Sequence, residues 1–226
     1  PAHVVVRIGL YELCGISDKP SSQEIPNLSY SYPLSMRFKI IALAPQIYIT
    51  DAQDRPVLYV RQKILNLRED VRIFRDDTRT DEIFRIHADR IIDLGARYQF
   101  FDSQTDQPLG SIKQRGLKTN WKAHYDLEDV GGSPTHAITE DNPWVKVLDG
   151  LIESIPFVGL LSGYVLQPSY TVHDNSQRPI MQLKKEPAFF ESKYSIDLLA
   201  EDITPDDERR LLLGIMMMVQ LNRSRG

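Results

Sequence analysis

The residues best suited to binding chemistry form a basic run between positions 107 and 125. This stretch carries Lys113, Arg115, Lys118 and Lys122 and contains no Asp or Glu. Lys and Arg side chains form charge-assisted hydrogen bonds with phosphate and carboxylate oxygens, and anionic lipid headgroups attract them electrostatically. We therefore interpret the four residues as a candidate anion-binding site. The alternative interpretation is a solvated sheet face, on which basic side chains suppress edge aggregation.

Residues that enzymes use as acids, bases or nucleophiles show no comparable clustering. The five histidines, at positions 3, 87, 124, 136 and 173, lack the spacing of metal-binding helices, and Ser154 and Ser162 lie in no Gly-x-Ser-x-Gly elbow. Cys14 is the single cysteine, so we expect a small buried hydrophobe there and a reducing compartment. The sequence predicts no catalytic residue, metal or cofactor. An enzyme, hydrolytic or redox, whose pocket combines dispersed residues stays open as the alternative function.

Composition and charge place the chain among ordinary globular proteins. Its 226 residues are 42% hydrophobic and 26% charged, and the net charge is −4. A negative chain without a recognised motif makes nucleic acid a weak candidate partner. The longest apolar runs are shorter than the ~20 residues that cross a bilayer. We therefore predict no transmembrane span and a cytoplasmic location, with peripheral association with a membrane if the basic run binds lipid.

Short strand-like segments separated by turns predict an antiparallel meander or barrel. Three pairs of segments share one pattern: an apolar strand, an Asp (Asp51, Asp102 or Asp174), a polar turn, and a Pro that opens the returning strand. Asp accepts backbone N–H groups in turns, and Pro at the first position of a strand costs little because it removes no needed donor. This chemistry favours turn formation over calcium binding, since the acidic residues lack the ligand spacing of a calcium loop.

The C-terminal segment predicts a helix that is enclosed by the sheet. Thr204 and Pro205 are a strong helix start, three acids follow, and no polar stripe interrupts the run from Leu211 to Val219 within the helix Leu211–Asn222. A helix that is apolar all round must be buried all round, and this one is too short to span a membrane. Closing the sheet around it buries both and leaves no free edge. The open alternatives are a Met-rich binding groove and a dimerising helix.

A second helix is predicted within an insertion. The third Asp-turn pattern comes later than the spacing of the first two predicts, and helical apolar periodicity runs from Trp144 to Ile155 in the excess. We expect an inserted helix at about 141–161 that packs on the outside of the sheet, or docks a partner or a membrane surface. The single predicted domain, 1–226, then has an extension with a loop at 1–33 and an insertion at 137–165.

These features together resemble the tubby C-terminal-like superfamily, and within it the LURP-one-related and phospholipid scramblase-like branch. The segment Ala96–Tyr125, with Pro108-Leu109-Gly110-Ser111-Ile112 and the basic residues after it, is most similar to that branch. The helix at Leu211–Asn222 is the second similarity. The resemblance implies a mainly β protein, a closed antiparallel barrel of about twelve strands around a central hydrophobic C-terminal helix.

Function follows less directly from this resemblance, because one fold hosts many functions. Tubby domains bind phosphoinositide headgroups, scramblases are linked to calcium and lipid movement, and LURP-one-related proteins are associated with plant defence. No tubby basic-site residue aligns with this chain. We therefore expect a non-enzymatic binding or scaffold module whose partner is an anionic phospholipid surface. A protein-interaction module without a small ligand is the second alternative.

Overall fold

Twelve antiparallel strands and one helix form most of the chain that the structure describes. This computed structural model describes residues 30–41, 44–61, 71–89, 96–115, 124–141, 168–188 and 191–223. The strands, numbered β1 to β12 in chain order, are Leu34–Ile41, Ala44–Thr50, Pro56–Arg61, Val71–Phe74, Glu82–Ala88, Arg97–Asp102, Pro108–Gln114, His124–Glu128, Pro134–Glu140, Ser169–Asp174, Pro179–Glu186 and Ser192–Leu198. The helix, α1, is Pro205–Arg223.

The strands close into a single barrel. Each one pairs with its neighbours in the sequence, and β1 completes the circle by pairing antiparallel with β12, with Leu34 opposite Ile196. The predicted fold, a closed antiparallel barrel of about twelve strands around a C-terminal helix, is confirmed. Closure leaves no edge strand among the twelve described strands, and the shortest pairing, between β3 and β4, joins Tyr59 and Phe74.

Alternation along the strands separates an apolar lumen from a polar outer wall. In β1, Leu34, Met36 and Phe38 are buried, whereas Lys39 is exposed. Side chains of a strand point alternately to its two faces, so a period of two assigns every second residue to the lumen. The lumen-facing residues form one continuous hydrophobic cluster with α1. This two-sided pattern determines which basic residues reach solvent.

The Asp-turn-Pro pattern builds the hairpins as the sequence predicts. The carboxylate of Asp51 accepts the N–H groups of Gln53 and Arg55, and the carboxylate of Asp174 accepts those of Ser176 and Arg178, at 2.8–3.0 Å. Asp102 accepts the N–H groups of Gln104 and Thr105 in the same way. Pro56, Pro108 and Pro179 are the first residues of β3, β7 and β11. These acidic residues therefore stabilise turns.

A fourth hairpin of this kind was not predicted. Asp129 accepts the N–H of Ser133 at 2.9 Å, and Pro134 opens β9. Its turn contains Val130 and two glycines where the other three turns have polar residues, so the sequence pattern did not predict it. The strand β9 also continues to Glu140, so residues 137–140 belong to the barrel and not to the insertion expected at 137–165.

The first turn of α1 has the predicted cap. The N–H of Asp207 donates to Thr204 Oγ1 at 3.1 Å, and the Thr204 hydroxyl donates back to Asp207 Oδ2 at 2.7 Å. Pro205 is the first helical residue, where its missing N–H costs no hydrogen bond. The acids Asp206, Asp207 and Glu208 lie in the first turn, at the positive end of the helix dipole. The helix thus starts before its apolar run.

The helix occupies the barrel lumen. Every residue from Glu208 to Leu221 is buried, and Met216, Met217 and Met218 have no exposed surface. This confirms the interpretation of an all-round apolar helix as a filling for the sheet. Several other predictions lie outside the described residues: the helix at Trp144–Ile155 in the segment 141–161, the extension up to residue 29, and Cys14.

Candidate functional site

Two of the four predicted site residues lie side by side on the outer wall. Lys113 is near the end of β7 and Arg115 directly follows the strand. Both are exposed, whereas Ile112 and Gln114, which alternate with them, are buried. The alternation of β7 therefore directs both basic side chains to solvent. Lys118 and Lys122 lie outside the described residues. The structure thus brings together half of the predicted cluster.

Lys113 is flanked by a cation and an anion on the adjacent strands. Its cross-strand partners are Arg97 on β6 and Asp126 on β8. Both neighbours are in ion pairs with other residues, Arg97 with Glu128 and Asp126 with Arg115. Within the described part of the chain, the Lys113 ammonium group makes no ion pair or hydrogen bond. Its charge is available to a ligand.

Arg115 is held by the carboxylate of Asp126. Arg115 Nε lies 2.5 Å from Asp126 Oδ2, and His124 Nε2 lies 3.4 Å from the other carboxylate oxygen. Burial acts to raise the pKa of Asp126, but His124 and Arg115 outweigh it, and the net effect is a lowered pKa. Asp126 therefore stays ionised and holds Arg115 in a fixed position. Arg115 keeps other N–H donors on its exposed guanidinium.

Arg97 belongs to the same surface, although its position in the sequence did not indicate that it is part of the site. Arg97 Nε lies 2.7 Å from Glu128 Oε2, and Ser111 Oγ donates to the same oxygen at 2.9 Å. Glu128 is almost fully buried, so a neutral partner at position 97 would leave a buried charge uncompensated. The register that aligns Arg97 with Lys113 becomes visible only when the strands pair. We call Arg97, Lys113 and Arg115 the outer basic strip.

A shallow depression of about 340 Å³ adjoins the outer basic strip at Arg97. Its floor is formed by β6 and β7 and its rim by the loop between β8 and β9. The lining residues are Arg97, Gln99, Phe101, Pro108, Gly110, Ser111 and the loop residues Asp129 to Gly132. Val130 in this rim is 61% exposed. The outer basic strip is therefore bordered by a concave surface whose rim carries one exposed apolar side chain, Val130, beside Asp129.

The described histidines lie on different strands of the barrel. His87 and His124 lie on the outer wall, as the strand alternation predicts, and His136 is half-buried. Burial lowers the pKa of His136, with Asp207 and Arg210 acting in opposite directions. Among the described residues no group of three or more His, Cys, Asp or Glu has a metal-binding arrangement.

Two arginines of α1, Arg209 and Arg210, are buried, in contrast to the usual exposure of charged residues. Arg210 pairs with Asp207, and its Nη1 donates to the carbonyl of Leu109 at 3.3 Å. Arg209 pairs with Asp206 at 3.3 Å. Both pairs use acids of the first helical turn, three residues earlier. Arg210 thereby links the helix to β7 of the barrel wall, and neither arginine adds to the outer basic strip.

Comparison with known proteins identifies the family of this chain. Over the described residues, no helix has the length and apolarity needed to span a membrane. No curated protein matches the chain. A crystal structure of a protein from Arabidopsis thaliana is similar, with 12% sequence identity, a TM-score of 0.45, and coverage of 86% of this chain and 93% of that one. The family model described as LURP-one-related matches residues 56–218, from β3 into α1. Because this match takes in more than half of the chain, the protein belongs to the LURP-one-related family.

Proposed function

We propose that this barrel is a binding module that recognises anionic lipid headgroups through the outer basic strip, extended by Lys118 and Lys122. The observation that carries the proposal is the free ammonium group of Lys113. Its neighbours Arg97 and Arg115 are positioned by carboxylates, whereas Lys113 has no such partner among the described residues. A headgroup phosphate supplies the missing counter-charge.

The carboxylates that position the arginines also reduce the net positive charge of this site, and therefore its affinity for an anionic surface. The three cations of the outer basic strip face two carboxylates, Asp126 and Glu128, so the described part of the site carries a small net positive charge. Binding then depends on several weak electrostatic contacts, each worth ~1 kcal/mol near an anionic surface. Such binding is selective for densely charged headgroups and sensitive to salt.

Vesicle flotation of the full chain tests the proposal. Phosphatidylcholine vesicles with and without a phosphoinositide are compared across a salt series. We expect flotation only with the anionic vesicles, and loss of flotation as the Debye length falls from ~10 Å at 0.1 M salt to ~3 Å at 1 M. Absence of binding to anionic vesicles at low salt would overturn the proposal.

A matched pair of charge reversals locates the site. Lys113→Glu removes the free cation, while Lys39→Glu makes the same charge change on β1, six strands away around the twelve-stranded barrel. Both lysines are exposed, so each variant should keep its stability within about 0.5 kcal/mol. We expect Lys113→Glu to weaken binding at least about five-fold and Lys39→Glu to have little effect. Equal losses would indicate a response to net charge and contradict the site.

A further inference from the structure

The end of the barrel where α1 finishes contains a small cavity that the outer basic strip does not reach. Its volume is about 130 Å³, and it is lined by Pro168, Tyr170, Tyr194, Val219, Asn222 and Arg223. A water molecule occupies ~30 Å³ in the liquid, so the cavity has room for a group of a few non-hydrogen atoms. Its polar lining comes from β10, β12 and the last turn of the helix.

Arg223 brings a positive charge to this cavity. Its Nη1 donates to Ser192 Oγ at 2.6 Å, and its guanidinium lies 5.0 Å from the centre of the Phe38 ring. No carboxylate pairs with Arg223 in the described part of the chain. A guanidinium carries five N–H donors, and a planar oxyanion can accept two of them in parallel. The arrangement fixes the side chain and leaves donors for such an acceptor.

Asn222 adds a buried donor without an acceptor. The Tyr125 hydroxyl donates to Asn222 Oδ1 at 2.7 Å, which fixes the orientation of the amide. The other amide atom, Nδ2, is buried and interacts with the Tyr170 side chain, but it has no acceptor within hydrogen-bond geometry among the described residues. Buried polar groups are nearly always hydrogen-bonded in native proteins, so an unpaired N–H beside a cavity indicates a missing acceptor.

The tyrosines of the cavity are neutral donors. Burial raises the pKa of Tyr170, and nearby Glu140 raises it further, while the side chain of Asn222 acts in the opposite direction. Burial also raises the pKa of Tyr194, although Arg223 acts in the opposite direction. Both hydroxyls therefore stay protonated at neutral pH. Glu140 is opposite Tyr170 on β9 but does not line the cavity.

We propose that this cavity binds a small oxyanion, the carboxylate or phosphate group of a ligand. Arg223 supplies the charge, Asn222 Nδ2 supplies a buried donor, and the hydroxyls of Tyr170 and Tyr194 complete the lining. Helix C-terminal carbonyls and Glu140 oppose negative charge at this end of the barrel. Recognition therefore depends on directional donors at short range. The site is independent of the headgroup site on the outer wall.

Titration of the full chain with sodium phosphate and with sodium acetate tests this site. Ionic strength is held constant with sodium chloride, and NMR follows the Arg223 Nε–H and the Asn222 side-chain amide. We expect saturable shifts of both signals with at least one anion, and the better of the two identifies the ligand group. Absence of saturable shifts with both anions up to 100 mM would overturn the proposal.

Two variants separate binding from folding. Asn222→Asp keeps the oxygen that accepts from Tyr125 but replaces Nδ2 with a carboxylate oxygen, which then pairs with Arg223 and repels the anion. We expect at least ten-fold weaker binding in this near-isosteric variant, and the same in Arg223→Gln. Lys113→Glu should leave the titration unchanged. Retained binding in Asn222→Asp, or loss in Lys113→Glu, would contradict the assignment.

Discussion

Gly214 in the middle of α1 lies directly against the side chain of Leu127 on β8. A β-carbon at position 214 would overlap Leu127 Cδ2 and come within 3.3 Å of Cδ1 and Cγ. Leu127 itself has no exposed surface. The glycine therefore determines how closely the helix approaches this part of the barrel wall.

Gly214→Ala should destabilise the barrel, by up to ~2 kcal/mol. Alanine gains about 1 kcal/mol over glycine in a helix interior, but overpacking a filled core costs ~1–3 kcal/mol. In a Leu127→Val background, which removes the overlapping atoms, the same change should become neutral or stabilising. Urea unfolding of the four proteins measures this coupling. The same effect of Gly214→Ala in both backgrounds would show that Leu127 is not the obstacle.

Gly110→Ala should be more damaging than Gly214→Ala. Gly110 has φ 120°, a conformation that residues with a β-carbon rarely adopt. A β-carbon there would overlap the backbone carbonyl of Glu128 and lie 2.7 Å from Arg210 Cδ. Backbone cannot move aside as a side chain can, so we expect a loss of about 2 kcal/mol or more. Gly132→Ala, which meets no atom within 4 Å, is the control for positive φ alone. Similar losses in both variants would exclude the contact as the cause.

Gln177→Gly should stabilise the β10–β11 hairpin. Gln177 has φ 64°, and its N–H donates to Asp174 O at 3.0 Å, so the backbone conformation is fixed by the turn. Glycine adopts positive φ without a steric penalty, which is worth up to ~1 kcal/mol. Thermal unfolding should show a higher midpoint than wild type. Ser176→Gly, at the preceding exposed position without positive φ, should lower it.

The stability contribution of Glu208 should depend on pH. Burial raises the pKa of Glu208 above its ordinary value, against the opposing hydrogen bonds from Tyr32 and Tyr30. The folded state therefore prefers the protonated acid. Relative to Glu208→Gln, wild type should gain stability as the pH falls from the raised folded pKa towards the unfolded value of ~4.3. Urea unfolding at a series of pH values measures the difference between the two proteins.

Asp174→Asn provides the control with the opposite sign. Hydrogen bonds from the Arg178 and Ser176 backbone and from the Arg178 side chain lower the pKa of Asp174, so the folded state prefers the ionised form. Wild type should therefore lose its advantage over Asp174→Asn as the pH falls below the unfolded value of ~3.9. Parallel pH profiles for the two pairs would contradict both assignments.

The barrel could be predicted from the sequence because the residues that form each turn, and those that form the central helix, lie close together in the chain. An Asp five or six residues before a Pro predicts a hairpin, and an apolar helix without a polar face predicts a lumen that encloses it. The hairpin at Asp129 was missed since glycines can form the same turn without polar side chains. Two members of the outer basic strip, Lys113 and Arg115, could be selected because they are close in the sequence. Arg97 joins them only through the register of β6 with β7.

The cavity at Arg223 shows what sequence reasoning lacks. Its residues come from positions that are far apart in the chain, and Asn222 looks like a helix end in the sequence. Whether a buried amide has an acceptor is a property of three-dimensional packing. The buried arginines of α1 escaped notice for the same reason, because charged residues beside an apolar run normally mark its solvated boundary.

The order of the elements along the chain has a consequence for synthesis. The helix that fills the lumen follows all twelve strands, so a growing chain exposes twelve half-apolar strands before their filling leaves the ribosome. The closing pair, β1 with β12, joins the two ends of the sheet, and such distant pairings form slowly. Unpaired strands are prone to aggregation during that delay. The nascent protein is therefore expected to depend on chaperones until α1 has emerged and the sheet can close around it.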